Sequence, residues 1–340
     1  MLVVMNRDCS ANQIDRVCEA IRDLGFEPHP MPGAERTVVC ITGNKGVVPI
    51  ERFAGLEGIL EIIRVSKPYK LVSKETRSCD TVVAFGDRHI GGGETCLIAG
   101  PCSVETEDAT MRIAEQLRNL GVGFFRAGAF KPRTSPYDFQ GLGHAGLEIL
   151  AKVKNELGLR IVTEVLDAAE LSAVAQVADI LQVGARNMHN TPLLKQLGGV
   201  EQPVLLKRGM AATLDEFFMA AEYIMVHGNY NVIFCERGIR TVSTHSRFTL
   251  DVAAVAAIKQ LSHLPVLVDP SHAAGISNMV EPLGYAGMAA GADGLIVEVH
   301  DNPSAAWCDG LQALHPSKLQ EFIRNMNALR ELLASTRCSS

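Results

Sequence analysis

Four side chains of unlike chemistry stand out in the sequence: Cys102, His272, Glu298 and Asp309. One thiolate, one imidazole and two carboxylates make a donor set for a divalent transition metal, and ligand softness admits Mn²⁺, Fe²⁺, Co²⁺ or Zn²⁺. A second group is cationic: Arg126, Lys131, Arg133, Arg186, Lys207 and Arg237. Guanidinium forks match phosphate and carboxylate oxygens in pairs, and lysine adds a compact charge. Six such cations brought together could hold two phosphates and a carboxylate. Plainer readings stand beside these. Cys102 can be a small buried thiol, His272 a helix cap, and the cations a ring of salt bridges to Glu164, Glu236 and Asp269. What separates the readings is whether the chain brings these residues to one place.

The hydrophobic pattern says that it does. Beyond Glu94, short apolar runs alternate with helical stretches, the signature of consecutive βαβ units around a parallel sheet. The runs are Cys96 to Ala99, Gly123 to Arg126, Arg160 to Thr163, Ile180 to Val183, Pro203 to Leu206, Asn231 to Cys235, Pro265 to Val268 and Gly294 to Val297. Eight such strands over about 240 residues predict an α/β chain built on a (β/α)₈ TIM barrel. A dinucleotide fold would place a G-x-G-x-x-G after the first run, where Gly100-Pro101-Cys102-Ser103 stands instead.

Barrel chemistry gathers at the carboxyl ends of the strands, and every run here ends in polar residues. They are Cys102; Arg126 followed by Lys131-Pro-Arg-Thr-Ser135; Glu164; Gly184-Ala-Arg-Asn187; Lys207-Arg208; Glu236-Arg237; Asp269-Pro-Ser-His272; and Glu298 with His300. Strands one, seven and eight are neighbours once a barrel closes. That places Cys102, His272 and Glu298 side by side, with Asp309 in the loop after strand eight.

Residues 1–67 read differently. Strand (Leu2 to Met5), helix (Ala11 to Leu24), two strands (Phe26 to His29 and Arg36 to Thr42), short helix (Glu51 to Gly55) and strand (Ile59 to Val65) give the order βαββαβ of a ferredoxin-like split sandwich. Residues 68–93 read as a linker and a capping hairpin around Gly86-Asp87, and residues 94–340 as the barrel. Such a sandwich by itself licenses no function.

Composition narrows the classes. The 340 residues are 47% apolar and carry 32 Lys and Arg against 38 Asp and Glu, a formal charge of −6. A basic excess that would draw nucleic acid or anionic lipid is absent, and no apolar run approaches the roughly 18 residues a membrane span needs. The first twelve residues lack a basic region with a long apolar stretch and cleavage site, so the expected location is cytoplasmic. The nine cysteines form no C-x-x-C pair and read mainly as buried thiols. Gly91-Gly92-Gly93 has no GK[ST] behind it and reads as a hairpin end. Trp307, the sole tryptophan, reads as packing its loop, and the charges of the last helix as a solvated face.

Taken together, Ala99-Gly-Pro-Cys-Ser103, Lys131-Pro-Arg-Thr-Ser135, Gly184-Ala-Arg-Asn187, Leu206-Lys-Arg-Gly209, Cys235-Glu-Arg-Gly238, Val268-Asp-Pro-Ser-His272 and Ile296-Val-Glu-Val-His300 resemble the 3-deoxy-D-arabino-heptulosonate 7-phosphate (DAHP) synthase family. The resemblance runs from about Cys79 to Leu333. It extends to the N-terminal sandwich, since one branch of these synthases carries a ferredoxin-like regulatory domain of about this size. It implies a metal-dependent condensation of phosphoenolpyruvate with erythrose 4-phosphate, the first step of the shikimate pathway toward aromatic amino acids. It further implies inhibition by an aromatic amino acid and a homotetrameric assembly.

Carried over residue by residue, the likeness implies Cys102, His272, Glu298 and Asp309 as metal ligands. It implies Arg126, Lys131, Arg186, Lys207, Arg237 and the Ala185 backbone as the phosphoenolpyruvate site, and Arg133, Thr134 and Ser135 as the sugar-phosphate loop, with Asn187 and Asp269 nearby. Lys131 would protonate the nascent alkoxide, and Glu164 would orient the attacking water. The related octulosonate synthases, which take arabinose 5-phosphate, usually carry an asparagine in the loop at 131–135 and generally lack the sandwich. Some of them work without metal and have asparagine at the position of Cys102. Two departures touch the pocket's shape: bulky flanks in Trp307-Cys-Asp-Gly-Leu-Gln312, and Thr191-Pro192 after Asn187 where an aromatic is more usual. A competing reading is a barrel without catalysis that serves as an amino-acid-responsive binding protein.

Overall fold

The structure is a computed structural model that describes residues 1–32, 36–44, 48–63, 67–77 and 79–337. Val65, expected to end a strand, and Cys338 lie outside the described residues. The N-terminal strands β1 (Leu2–Met5), β2 (Glu27–Pro32), β3 (Thr37–Thr42) and β4 (Ile59–Ile63) form one antiparallel sheet in the order β2-β3-β1-β4. Helix α1 (Ala11–Asp23) starts where Ser10 and Gln13 cap each other, the Ser10 amide donating to Gln13 Oε1 at 2.8 Å.

Alternation along the strands gives this sheet two buried faces. Val3, Met5, Val39 and Ile41 meet Val17, Cys18 and Ile21 of α1, while Leu2, Met31 and Cys40 join the larger core that wraps the barrel. The second expected helix is a correction: Ile50–Phe53 is a single 3₁₀ turn. Between Pro49 and Gly55, the latter at φ +92°, too few residues remain to nucleate an α-helix.

Polar groups fasten the sandwich to the rest of the chain. Buried Glu222 accepts the backbone amides of Lys70, Leu71 and Val72 at 2.9, 2.9 and 3.2 Å. The His29 ring lies 3.1 Å from the Tyr230 hydroxyl and 2.8 Å from the Thr42 hydroxyl.

All eight expected barrel strands form: β7 (Cys96–Gly100), β8 (Phe124–Arg126), β9 (Arg160–Glu164), β10 (Ile180–Val183), β11 (Val204–Lys207), β12 (Val232–Glu236), β13 (Val266–Val268) and β14 (Gly294–Glu298), after the hairpin β5 (Val83–Phe85) and β6 (Arg88–Ile90). They close in parallel, β14 pairing with β7 and β9 with β10. Alternate residues point inward. Ile98, Phe124, Val162, Ile180, Leu205, Ile233, Leu267 and Ile296 fill the barrel, and Val83, Phe85 and Ile90 of the hairpin plug its amino-terminal mouth. The other mouth is thereby the open one. Among the described residues no helix is long and apolar enough to cross a membrane.

Buried His263 ties the linker to the barrel. Its Nε2 donates to Leu71 O at 2.7 Å and its Nδ1 accepts from Thr81 Oγ1 at 2.8 Å. Burial pushes its pKa from 6.5 down to about 4, so the folded chain keeps the ring neutral where the unfolded chain protonates. Stability is therefore intact at neutral pH and declines as pH falls below about 6.5, by about 3 kcal/mol in total once pH 4 is passed. Urea midpoints measured from pH 7 to 4 should fall less steeply in His263→Gln than in the parent.

Candidate active site

Strand ends set the geometry. Gly100 closes β7 against β8 so tightly that a Cβ there would stand 2.0 Å from Arg126 O, and this approach brings Arg126 and Cys102 together. Arg126 donates to Pro101 O at 3.1 Å and to Glu298 Oε1 at 2.7 Å, a buried ion pair across the β8 and β14 ends. Lys131 Nζ lies 3.0 Å from both the Cys102 carbonyl oxygen and Sγ. At β13, Asp269 caps the short helix Pro270–Ala274, its Oδ1 accepting the His272 amide at 2.9 Å. Its Oδ2 takes Lys207 from β11 and lies 2.7 Å from His272 Nδ1. Ser271 Oγ accepts the Glu298 amide at 2.9 Å, and Gln312 donates to Glu298 Oε2 at 2.7 Å.

Charge follows from these contacts. Burial pushes the His272 imidazole down, against the pull of Asp269 and Glu298, which favours the neutral ring a metal requires. Burial works the other way on Glu298, but His272, Arg126 and Lys131 outweigh it and hold its carboxyl near 2. Asp269 is likewise held well below the usual carboxylate range by His272 and Lys207 in spite of its burial.

The donor atoms of His272, Glu298 and Asp309 lie within 4.8 Å of one another, and so do those of Cys102, Cys308 and Asp309. The four expected ligands are thus split between two overlapping groups joined by Asp309, and their donor chemistry fits a divalent transition metal. The set is a thiol, an imidazole and two carboxylates on neighbouring strand ends, backed by the contacts of Ser271 and Gln312 that orient Glu298.

Beside these ligands opens a cleft of about 410 Å³. Arg126, Lys131, Arg133, Thr134, Glu164, Ala185, Arg186, Lys207, Arg237, His272 and Asp309 all line it, together with Arg240, Arg247, Met210 and Phe248. Gly184 makes room for Glu164, since a Cβ there would meet Glu164 Oε1 at 2.0 Å; the other oxygen accepts Gln182 Nε2 at 3.1 Å. Phe248 stacks under the Arg237 guanidinium at 4.1 Å.

The salt-bridge reading holds only in part. Lys207 pairs with Asp269, while Glu236 goes to Arg208, which also binds Asp251 behind the cleft. Among the described residues, Arg186, Arg237 and Arg240 face the cleft with no carboxylate ion pair.

Five expected residues fall outside this lining: Asn187, Ser135, Asp269, Glu298 and Cys102. Asn187 Nδ2 donates to Leu166 O at 2.8 Å and its Oδ1 accepts from Asn190, so its amide braces the loop after β10. Ser135 Oγ accepts the Tyr137 amide at 3.2 Å in a turn. Asp269, Glu298 and Cys102 are buried and contact the cleft-lining Lys207, Arg126 and Lys131 in turn.

Sequence reasoning missed Arg240 and Arg247, although both stand in the long loop after β12 where barrel sites gather. It also missed Cys308, and it gave His300 no partner. Glu105 supplies one: its Oε2 is 3.3 Å from His300 Nε2, and its Oε1 accepts the Trp307 amide at 2.7 Å, which anchors the loop bearing Asp309. The Trp307 ring packs edge-on to Phe139 at 5.0 Å.

Known proteins match nearly the whole chain. Residues 71–335 match the DAHP synthetase I family, and residues 1–67 match the DAHP synthase ferredoxin-like domain. The chain belongs to the DAHP synthetase I family. It is an enzyme of that family, a transferase that forms carbon–carbon bonds. The phospho-2-dehydro-3-deoxyheptonate aldolase of Thermotoga maritima is 46% identical over 333 residues, 98% of each protein. A crystal structure of the DAHP synthase from that organism superposes with a TM-score of 0.78 at 45% identity, covering 98% of this chain and 97% of that one. A truncated form of the Thermotoga synthase reaches 0.74 at 47% identity over 78% of this chain and 97% of its own. The 2-dehydro-3-deoxyphosphooctonate aldolase of Syntrophotalea carbinolica is 35% identical over 265 residues, 73% of this chain and 93% of that protein.

Proposed function

We propose that this family member condenses phosphoenolpyruvate with erythrose 4-phosphate and water, giving DAHP and phosphate at the head of the shikimate pathway, with a divalent metal at Cys102, His272, Glu298 and Asp309. The observation that carries the reading is the cleft lined by Arg186, Arg237 and Arg240, which have no carboxylate ion pair among the described residues, directly beside that donor set. Guanidinium groups without a carboxylate counterion in a partly enclosed cleft call for an anionic ligand. The four-carbon sugar is favoured because the Thermotoga heptonate enzyme aligns over both parts of the chain, whereas the octulosonate relative spans only 73% of it.

The residues then divide the work. Arg126, Lys131, Arg186, Lys207 and Arg237, with the Ala185 amide, hold the carboxylate and phosphate of phosphoenolpyruvate. Arg133, Thr134 and Ser135 receive the sugar phosphate, with Asn187 shaping the loop behind them. When bound, the metal supplies Lewis acidity that polarises the sugar aldehyde toward the weakly nucleophilic enol ether. Lys131, its ammonium held beside Cys102, gives a proton to the alkoxide oxygen. Glu164 orients water toward the carbon that becomes cationic as the new bond forms, and departure of phosphate follows. Holding both anions within reacting distance contributes several kcal/mol, up to about 7 or more.

In domain terms, residues 1–67 form the effector-sensing unit, 68–93 the linker and capping hairpin, and 94–340 the catalytic barrel, with an aromatic amino acid as effector and a tetramer as assembly. One assay tests these points. Metal-stripped protein with Mn²⁺ restored should consume phosphoenolpyruvate with erythrose 4-phosphate and not with arabinose 5-phosphate. Tyrosine or phenylalanine should inhibit the full chain and not a form beginning at residue 68. Turnover with the five-carbon sugar alone would move the chain to the octulosonate reaction, no turnover with either would revive the binding-protein reading, and inhibition that survives truncation would end the sensor assignment.

A further inference from the structure

Cys308 stands inside the donor set. Its Sγ lies 3.1 Å from Cys102 Sγ, and Asp309 Oδ2 lies 3.5 Å from that same sulfur. Donor atoms therefore fall into two overlapping triads that share Asp309: an imidazole and carboxylate triad with His272 and Glu298, and a triad with two thiols, Cys102 and Cys308. Adjacent residues of an extended chain point to opposite sides, so bringing residues 308 and 309 to one place takes a turn in the backbone. Asp309 supplies it. At φ +50° it is the one non-glycine residue with positive φ among those described.

The strained turn is held from several directions. Glu105 fixes the amide of Trp307, and Gly310 packs so near Pro303 that a Cβ would stand 2.0 Å from its carbonyl oxygen. Strain of this kind persists where surrounding contacts over-determine it, and it concentrates at ligand sites. Cys308 is only 5% exposed, and Arg133 Nη1 lies 2.7 Å from its sulfur, a cation well placed to steady a thiolate.

We infer that Cys308 is a second sulfur ligand of the metal centre, joining Cys102 and Asp309 in a dithiolate arm that biases this enzyme toward thiophilic cations such as Zn²⁺, Cd²⁺ and Co²⁺ over Mn²⁺. This rests on the reading of Cys102, His272, Glu298 and Asp309 as metal ligands and adds one donor to it. On binding, two sulfur–metal bonds form and the two thiol protons pass to solvent, with no change of oxidation state. Softness supplies the selectivity, because thiolates favour Zn²⁺ and its soft neighbours while Mn²⁺ prefers oxygen donors.

The test uses the reduced, metal-free full chain. Titrated with Co²⁺, the parent should show sulfur-to-metal charge-transfer absorbance that falls to about half in Cys308→Ser, and its preference for Cd²⁺ over Mn²⁺ should drop by about 10-fold or more. X-ray absorption of the Zn²⁺-loaded parent needs no variant, and it should count two sulfur neighbours at about 2.3 Å. A single sulfur neighbour, or a Cys308→Ser protein with unchanged absorbance and metal preference, would overturn the role of Cys308 and leave the four-ligand reading standing. Absence of any sulfur–metal signal in the parent would overturn both.

Discussion

Replacing His272 by alanine should lower turnover by at least about 10³-fold, and excess Mn²⁺ should not restore it. The imidazole stands 2.7 Å from Asp269 Oδ2 and 3.4 Å from Glu298 Oε1, so its loss removes one of the proposed metal donors and the group between two buried carboxylates. Cys102→Ala should behave alike for a second reason: its sulfur lies 3.0 Å from Lys131 Nζ, and without it the ammonium keeps only the backbone carbonyl of residue 102. Steady-state turnover of metal-stripped variants with Mn²⁺, Co²⁺ or Zn²⁺ added back reads both effects. Retained activity in both variants would remove the case for these two ligands.

Lys207→Met should have the next largest consequence, for binding and for folding. Lys207 lines the cleft and pairs with Asp269, with side chains 5% and 1% exposed. Removing the ammonium takes a cation from the proposed phosphoenolpyruvate site, so kcat/KM for that substrate should fall on the order of 10³-fold, mostly through KM. It also leaves a buried carboxylate short of a partner, and unfolding free energy should drop by about 3 kcal/mol. Lys207→Arg keeps the charge and should recover part of both. Initial rates at varied phosphoenolpyruvate and urea melts separate the two effects. A KM shift below about tenfold would place the substrate phosphate elsewhere in the cleft.

The barrel was legible in the sequence because its eight parallel strands are buried on both faces, and each therefore reads as an apolar run ended by polar residues. That pattern alone located Cys102, Arg126, Glu164, Lys207, Asp269, His272 and Glu298 at strand ends, where they stand in the structure. The sandwich order was legible too, from the helical spacing of Ile14, Val17, Cys18 and Ile21 against the β-branched run at 37–42.

Loops and near neighbours in space were another matter. Arg240 and Arg247 reach the cleft only because the segment after β12 folds back over it, and hydrophobic periodicity says nothing of such a path. The amide of Asn187 is spent on Leu166 O, a contact that depends on how two loops meet. Cys308 joins Cys102 across 206 positions of chain through one left-handed residue, Asp309. Sequence determined which chemistry the strand ends carry, because burial forces each strand to declare itself. Tertiary structure decided which cations face the cleft without a carboxylate partner among the described residues and which donor atoms lie near one another, because those depend on distances between loops that no local propensity encodes.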